Sequence, residues 1–155
     1  MKKYLLSLVI LFAAGLLQAQ TWQYQWANQL ANTSELDESI MVEVDSQDRV
    51  YAVGQYQGEL IIGDLSLPAP EVSSSFVVQY EGDGSTNWAM EVTGIINQTA
   101  VDENDNLVIV GDLSSNGSIA GESVGNDESE IFVAKISTAG NLMWAKTAAE
   151  DYLND

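Results

Sequence analysis

The residues best suited to chemistry in this chain are its acids and its tryptophans. Asp102, Asn104 and Asn106 stand at alternate positions, the spacing with which a calcium loop opens. The rest of that loop is missing: Leu107 stands where its glycine belongs and Leu113 where its bidentate glutamate belongs. A related stretch beginning at Asp45 places Arg49 at the third ligand position. The same residues suit a β-turn, because Asp and Asn tolerate left-handed dihedrals and hydrogen-bond their own backbone. The turn is the first reading and calcium the alternative; no other cofactor is expected. Two acidic clusters, one of Glu35, Asp37 and Glu38 and one of Asp127, Glu128 and Glu130, are dense enough to supply the paired carboxylates of glycoside hydrolysis. With 23 acids in the chain, such proximity arises by chance, and a solvated face is the ordinary fate of acids. Trp22, Trp26, Trp88 and Trp144 could form a sugar-stacking platform. Three of them recur at one repeat position, which argues for packing between units that need the same filler. Trp22 falls outside that pattern, close to Tyr24.

What is missing narrows the chemistry further. The chain has no histidine and no cysteine. That removes the Ser–His and Cys nucleophile pairs, the imidazole base and the usual His/Cys zinc site. It also leaves stability to the core, without disulfides. Lys2 and Lys3 precede an apolar run from Leu5 to Leu17, with Ala19 beyond. This has the form of a signal peptide over residues 1–19, and the run is shorter than the roughly 20 residues a spanning helix needs. The protein is therefore expected to be exported and not transmembrane. The formal charge is −18, becoming about −20 once the two leader lysines are removed. Such a field repels nucleic acid and anionic lipid and favours solubility.

The elements that must position these residues are repeated. Val44-Asp45 and the following run to Gly54 recur 57 positions later as Val101 to Gly111. Phe76-Val77-Val78-Gln79-Tyr80, Gly84 and Trp88-Ala89 recur 56 positions later as Phe132 to Ile136, Gly140 and Trp144-Ala145. Val50 to Val53 and Leu107 to Val110 are apolar throughout, as strands buried on both faces are. Polar turns follow Val44 and Val101, and Gly84 and Gly140 close a second pair of turns. Each unit thus reads as four short antiparallel strands joined mostly by hairpins. The middle connection, Gly58 to Ser75 or Ser115 to Ile131, is the variable part. Trp26-Ala27 marks an earlier copy of the fourth-strand position, so the units run from about 26 to 87 and from about 88 to 143.

A sheet with two apolar faces needs neighbours, and similar sheets stacked face to face make a β-propeller. The expected fold is all-β, a β-propeller-like array of four-stranded antiparallel blades over residues 20–155. The array is incomplete, with about two blades and the start of a third at 144–155. The next Val-Asp turn falls at about residue 157 by the repeat spacing, which leads us to expect the N-terminal part of a larger propeller, a truncated product, or chains that assemble into a ring.

A Val-Asp turn, an apolar run ending in Gly, then Phe-Val, Gly and Trp-Ala resembles the bacterial SBBP-type repeat of seven-bladed β-propellers. The resemblance covers residues 26 to 155. The usual Gly-Asn of the first turn is here Asp48-Arg49 and Asp105-Asn106. The resemblance implies export to the surface of a Gram-negative cell, often with a type IX sorting domain. The function expected is a non-enzymatic secreted or cell-surface module that binds a protein or glycan through variable loops. The alternative is part of a secreted carboxylate-dependent hydrolase whose site lies mostly on other blades. No nucleic-acid partner is expected. Self-association through open blade faces is a further expectation, because uncovered apolar faces mark interaction sites.

Overall fold

The structure is a computed structural model that describes residues 26–28, 30–32, 38–126 and 130–149. The leader segment 1–19, Trp22, Tyr24, Glu35, Asp37, Asp127, Glu128 and the segment 150–155 lie outside the described residues. Within them the protein is all-β. The strands in chain order are β1 (Leu30–Asn32), β2 (Glu38–Val44), β3 (Val50–Tyr56), β4 (Leu60–Ile62), β5 (Leu65–Leu67), β6 (Ser74–Tyr80), β7 (Thr86–Val92), β8 (Gly94–Val101), β9 (Leu107–Leu113), β10 (Ser118–Ile119), β11 (Glu122–Ser123), β12 (Glu130–Ile136) and β13 (Leu142–Ala149). Among the described residues no helix is long and apolar enough to cross a membrane.

Two sheets carry the fold, and their pairings are antiparallel. The first contains β7-β6-β3-β2 in that order; the second is β13-β12-β9-β8. Neither closes on itself. Positions 56 or 57 apart take the same place in the two sheets. A bulge in β2 at Ser39/Met41 matches one in β8 at Ile96/Gln98. Another bulge, opposite Gln79/Tyr80, matches one opposite Lys135/Ile136. Bulges add local twist, so both sheets twist at the same two points.

The turns follow from residue type. Asp48 and Asp105 adopt φ of 62° and 64°, a left-handed region that Asp visits readily. The amides of Asp45 and Asp102 each donate back across the turn, to the carbonyls of Arg49 and Asn106. β6 is buried at every position, as a central strand covered on both faces should be. β9 is less enclosed: Leu107 and Ile109 are buried while Val110 is exposed. One core lies between the two sheets, where Tyr51, Val53 and Val77 meet Ile109, Phe132 and Ala134. Burying a side chain such as Phe132 contributes about 1.5–3 kcal/mol. A second core on the far side of the first sheet joins Phe76, Val78 and Tyr80 to Leu60 and Ile62, with Trp26 packed against it.

One sequence expectation needs correction, the number of strands in a sheet. The variable middle connection folds in each copy into a hairpin that clasps a strand lying earlier in the chain. β4 and β5 form one hairpin, and β4 pairs with β1. β10 and β11 form the other, and Ile119 pairs with Val92 of β7. The first sheet therefore has six strands, β11-β10-β7-β6-β3-β2, and not four. The hairpins form because an edge strand offers unpaired backbone groups that a short strand can satisfy. The strand beginning near Trp88 hydrogen-bonds to β6 as the fourth strand of its sheet; a repeat counted from tryptophan to tryptophan therefore runs from one sheet's fourth strand through the next sheet's first three.

Candidate functional site

The polar residues of interest converge where the turns of the two sheets meet. Asp45 caps its own turn: Oδ1 accepts the Gln47 amide at 2.9 Å and the Arg49 amide at 3.0 Å. Its Oδ2 accepts from Arg49 Nε at 2.6 Å. Asp102 repeats the cap in the second sheet, with Oδ1 accepting the amides of Asn104 and Asn106 at 2.8 and 2.9 Å. Its Oδ2 accepts from Lys135 Nζ at 2.7 Å. Asp105 reaches across to the first sheet, where its carboxylate accepts from the Ser46 amide at 3.0 Å and the Ser46 hydroxyl at 2.8 Å. The Tyr51 hydroxyl donates to the Asp105 carbonyl at 3.0 Å.

This geometry places the calcium candidates in a turn. Asp102 has its oxygens turned to two amides and an ammonium. The Asn106 side chain donates to Asp102, and Asn104 is exposed. An ammonium thus stands where a cation would be attracted. Among the described residues no group of three or more His, Cys, Asp or Glu could hold a metal.

The cation changes place between the two copies. In the first sheet the partner of Asp45 comes from the turn, as Arg49, and the neighbouring strand carries Gln79. In the second sheet the turn carries Asn106, and the partner comes from the strand as Lys135. Each turn carboxylate receives one positive charge by a different route. Lys135, with the turn amides, holds Asp102 well below the usual carboxylate range. The Ser46 amide and hydroxyl lower Asp105 in the same direction. A lowered folded pKa stabilises above the unfolded value, near 4, and that contribution fades as pH falls through the folded pKa. Lys135→Gln is therefore expected to lower stability at pH 7, with the gap to the parent narrowing below about pH 4. Adding Asn106→Arg rebuilds the first sheet's arrangement and should recover most of the loss. Urea denaturation at several pH values reads both effects.

The tryptophans also act between elements. Trp26 lies over Gly84, where an added Cβ would come within 2.6 Å of the indole. Its Nε1 donates to the Gly82 carbonyl at 3.2 Å. Trp88 lies over Gly140, with the corresponding approach 2.8 Å, and donates to the Thr138 carbonyl at 3.0 Å. Gly84 and Gly140 have φ of 87° and 78°, so these turns need glycine for both dihedral and space. Trp144, at the same position on the second sheet, is 40% exposed. These indoles are spread along the stack and do not form one platform.

Of the acidic clusters, Glu38 opens β2 and Glu130 opens β12. Glu130 is buried: Oε1 accepts from Asn126 Nδ2 at 2.8 Å, while Oε2 has no partner among the described residues. The other acids of both clusters lie outside the described residues, so no catalytic pair is described. Sequence reasoning missed Ser75. Its buried hydroxyl donates to the Gly94 carbonyl and accepts from the Ile96 amide, both at 2.9 Å, joining the first sheet to β8. A serine in a run otherwise read as loop gave no sign of this; its place opposite Gln55 and Val92 exists only in the sheet.

The fold and these contacts define an all-β protein of open antiparallel sheets whose buried polar groups hold one sheet to the next. No protein-family model, curated protein or solved structure matches the chain.

Proposed function

We propose that this chain is a non-enzymatic module built on the β-propeller plan, exported to the cell surface or the medium, that binds a protein or glycan partner. The observation that carries the reading is the contrast between what the two sheets share and where they differ. Caps, bulges and Trp-over-Gly contacts recur at matching positions and serve cohesion. The connection between the second and third strands of each unit, Gly58 to Ser75 or Ser115 to Ile131, differs in sequence. In the first copy its flanks line a polar groove of about 420 Å³, bounded by Gln57, Gly58 and residues 69–73. Val72 is exposed on this rim. A segment free to vary on a fixed scaffold is where recognition is usually built. Export rests on the N-terminal pattern of a basic pair and a short apolar run.

The test is calorimetric titration of the chain without its leader against soluble oligosaccharides and against exported proteins of a Gram-negative host. Binding without turnover is expected, weakened at least tenfold when residues 69–73 are replaced by a Gly-Ser segment. Release of reducing sugar, or binding unchanged by the replacement, would contradict this reading.

A further inference from the structure

The second sheet has an open face whose counterpart on the first sheet is covered. Val53, Ser75 and Trp88 of the first sheet lie at the positions of Val110, Ile131 and Trp144. Val53 and Ser75 are buried and Trp88 is half-buried, because the second sheet covers them. Val110, Ile131 and Trp144 are exposed, Ile131 by 46%. The first sheet has a complementary gap along β2 on its opposite side, the rest of which is covered by the β4–β5 hairpin and Trp26. Val42 and Val44 are 62% and 56% exposed. They hold the positions at which Thr99 and Val101 of the second sheet face the first: Thr99 donates to Glu43 at 3.2 Å, and Val101 packs against the shared core.

The outer strands show the same relation. The hairpin β4–β5 clasps β1, and the hairpin β10–β11 clasps β7. Trp26 precedes β1 by the same interval at which Trp88 stands before Val92. β1 with Trp26 thus occupies a fourth-strand place, over the Gly84 turn and against β4. β13 with Trp144 is a strand of the same kind, and no hairpin pairs with its outer edge among the described residues.

We propose that a second copy of this chain docks head-to-tail on the open face, the second sheet of one copy covering the first sheet of the next. In that contact the Trp144 strand of one copy takes the place held by the Trp26–Asn32 segment of the other. Trp144 lies on the Gly84 turn and donates to the Gly82 carbonyl, while Ala148 pairs with Ile62. The resident Trp26 segment is therefore a competitor that restrains assembly. The interface inside the chain supplies the occupant: its half on the second sheet is open, and its half on the first sheet is open at Val42 and Val44 and otherwise held by Trp26 and the β4–β5 hairpin. A contact between two different patches is heterologous, so it propagates to a ring or an open chain and not to a two-fold dimer. The inference shares the stacked-sheet plan with the proposed function but does not depend on any ligand.

Analytical ultracentrifugation of the chain without its leader tests it directly. Reversible association is expected, weakened at least tenfold by Trp144→Ala and strengthened by Trp26→Ala. Trp144 is exposed, so its variant keeps the fold even if Trp26→Ala does not. The absence of cysteine allows a positional check. Thr99 meets Glu43 within the chain, so the repeat spacing sets Ala100 of one copy opposite Val42 of the next. Ala100→Cys and Val42→Cys chains, mixed and oxidised, should cross-link with each other well above either alone. A chain monomeric at all concentrations, or association indifferent to Trp144→Ala, would overturn the proposal. So would cross-linking dominated by like pairs.

Discussion

Gly111→Ala is expected to destabilise the protein by about 3 kcal/mol, the upper range for forcing a group into a filled core. For a domain of this size that is about 10 °C in Tm. Gly111 lies in β9 opposite Ile96, directly beside the β8 bulge. A Cβ there would collide with the Ile95 carbonyl oxygen and press on the Ile96 backbone. A side chain could turn away; two paired backbones cannot. The glycine that closes the apolar run is thus required by the bulge that twists the neighbouring strand. Val110→Ala, one residue earlier and exposed, should stay within about 0.5 kcal/mol, as surface changes usually do. Thermal unfolding followed by circular dichroism compares the two.

Trp88→Ala is expected to cost about 3 kcal/mol, the lower range for removing a large aromatic from packed surroundings. The indole covers the Gly140 turn, tilts against Tyr51 with ring centroids 6.1 Å apart, and donates to the Thr138 carbonyl. Trp88→Phe keeps much of the packing and loses the hydrogen bond, so it should cost about 1 kcal/mol for the bond itself. Trp144→Ala should be close to neutral at concentrations where the chain is monomeric. Two residues identical in kind at one repeat position then differ in energetic weight by what lies over them. Urea denaturation gives the series.

Much of this arrangement was legible in the residues. The apolar runs at Val50 and Leu107 fall on β3 and β9, and Phe76 and Phe132 fall on β6 and β12. Asp48 and Asp105 take the left-handed dihedrals their type allows. What escaped was tertiary. Leu60–Ile62 and Leu65–Leu67 are three-residue runs around a Gly63-Asp64 turn. They are too short to stand out, and they are strands only because β1, far earlier in the chain, offers an edge. The Asp102–Lys135 pair spans 33 residues and depends on the register of β9 with β12. The turn motif around Asp102 points to a cap or a cation, and only the neighbouring strand decides which positive group arrives.

One sheet is held to the next by a tryptophan seated on a glycine turn, and proton NMR of the chain reads that contact. Ring currents from Trp88 should move the Gly140 α-protons upfield, with cross-peaks between those protons and the indole. The same is expected for Gly84 and Trp26, and both signals should vanish in the matching Trp→Leu variants. Glycine α-protons at ordinary shifts, with no contact to either indole, would contradict this stacking of one sheet on the next.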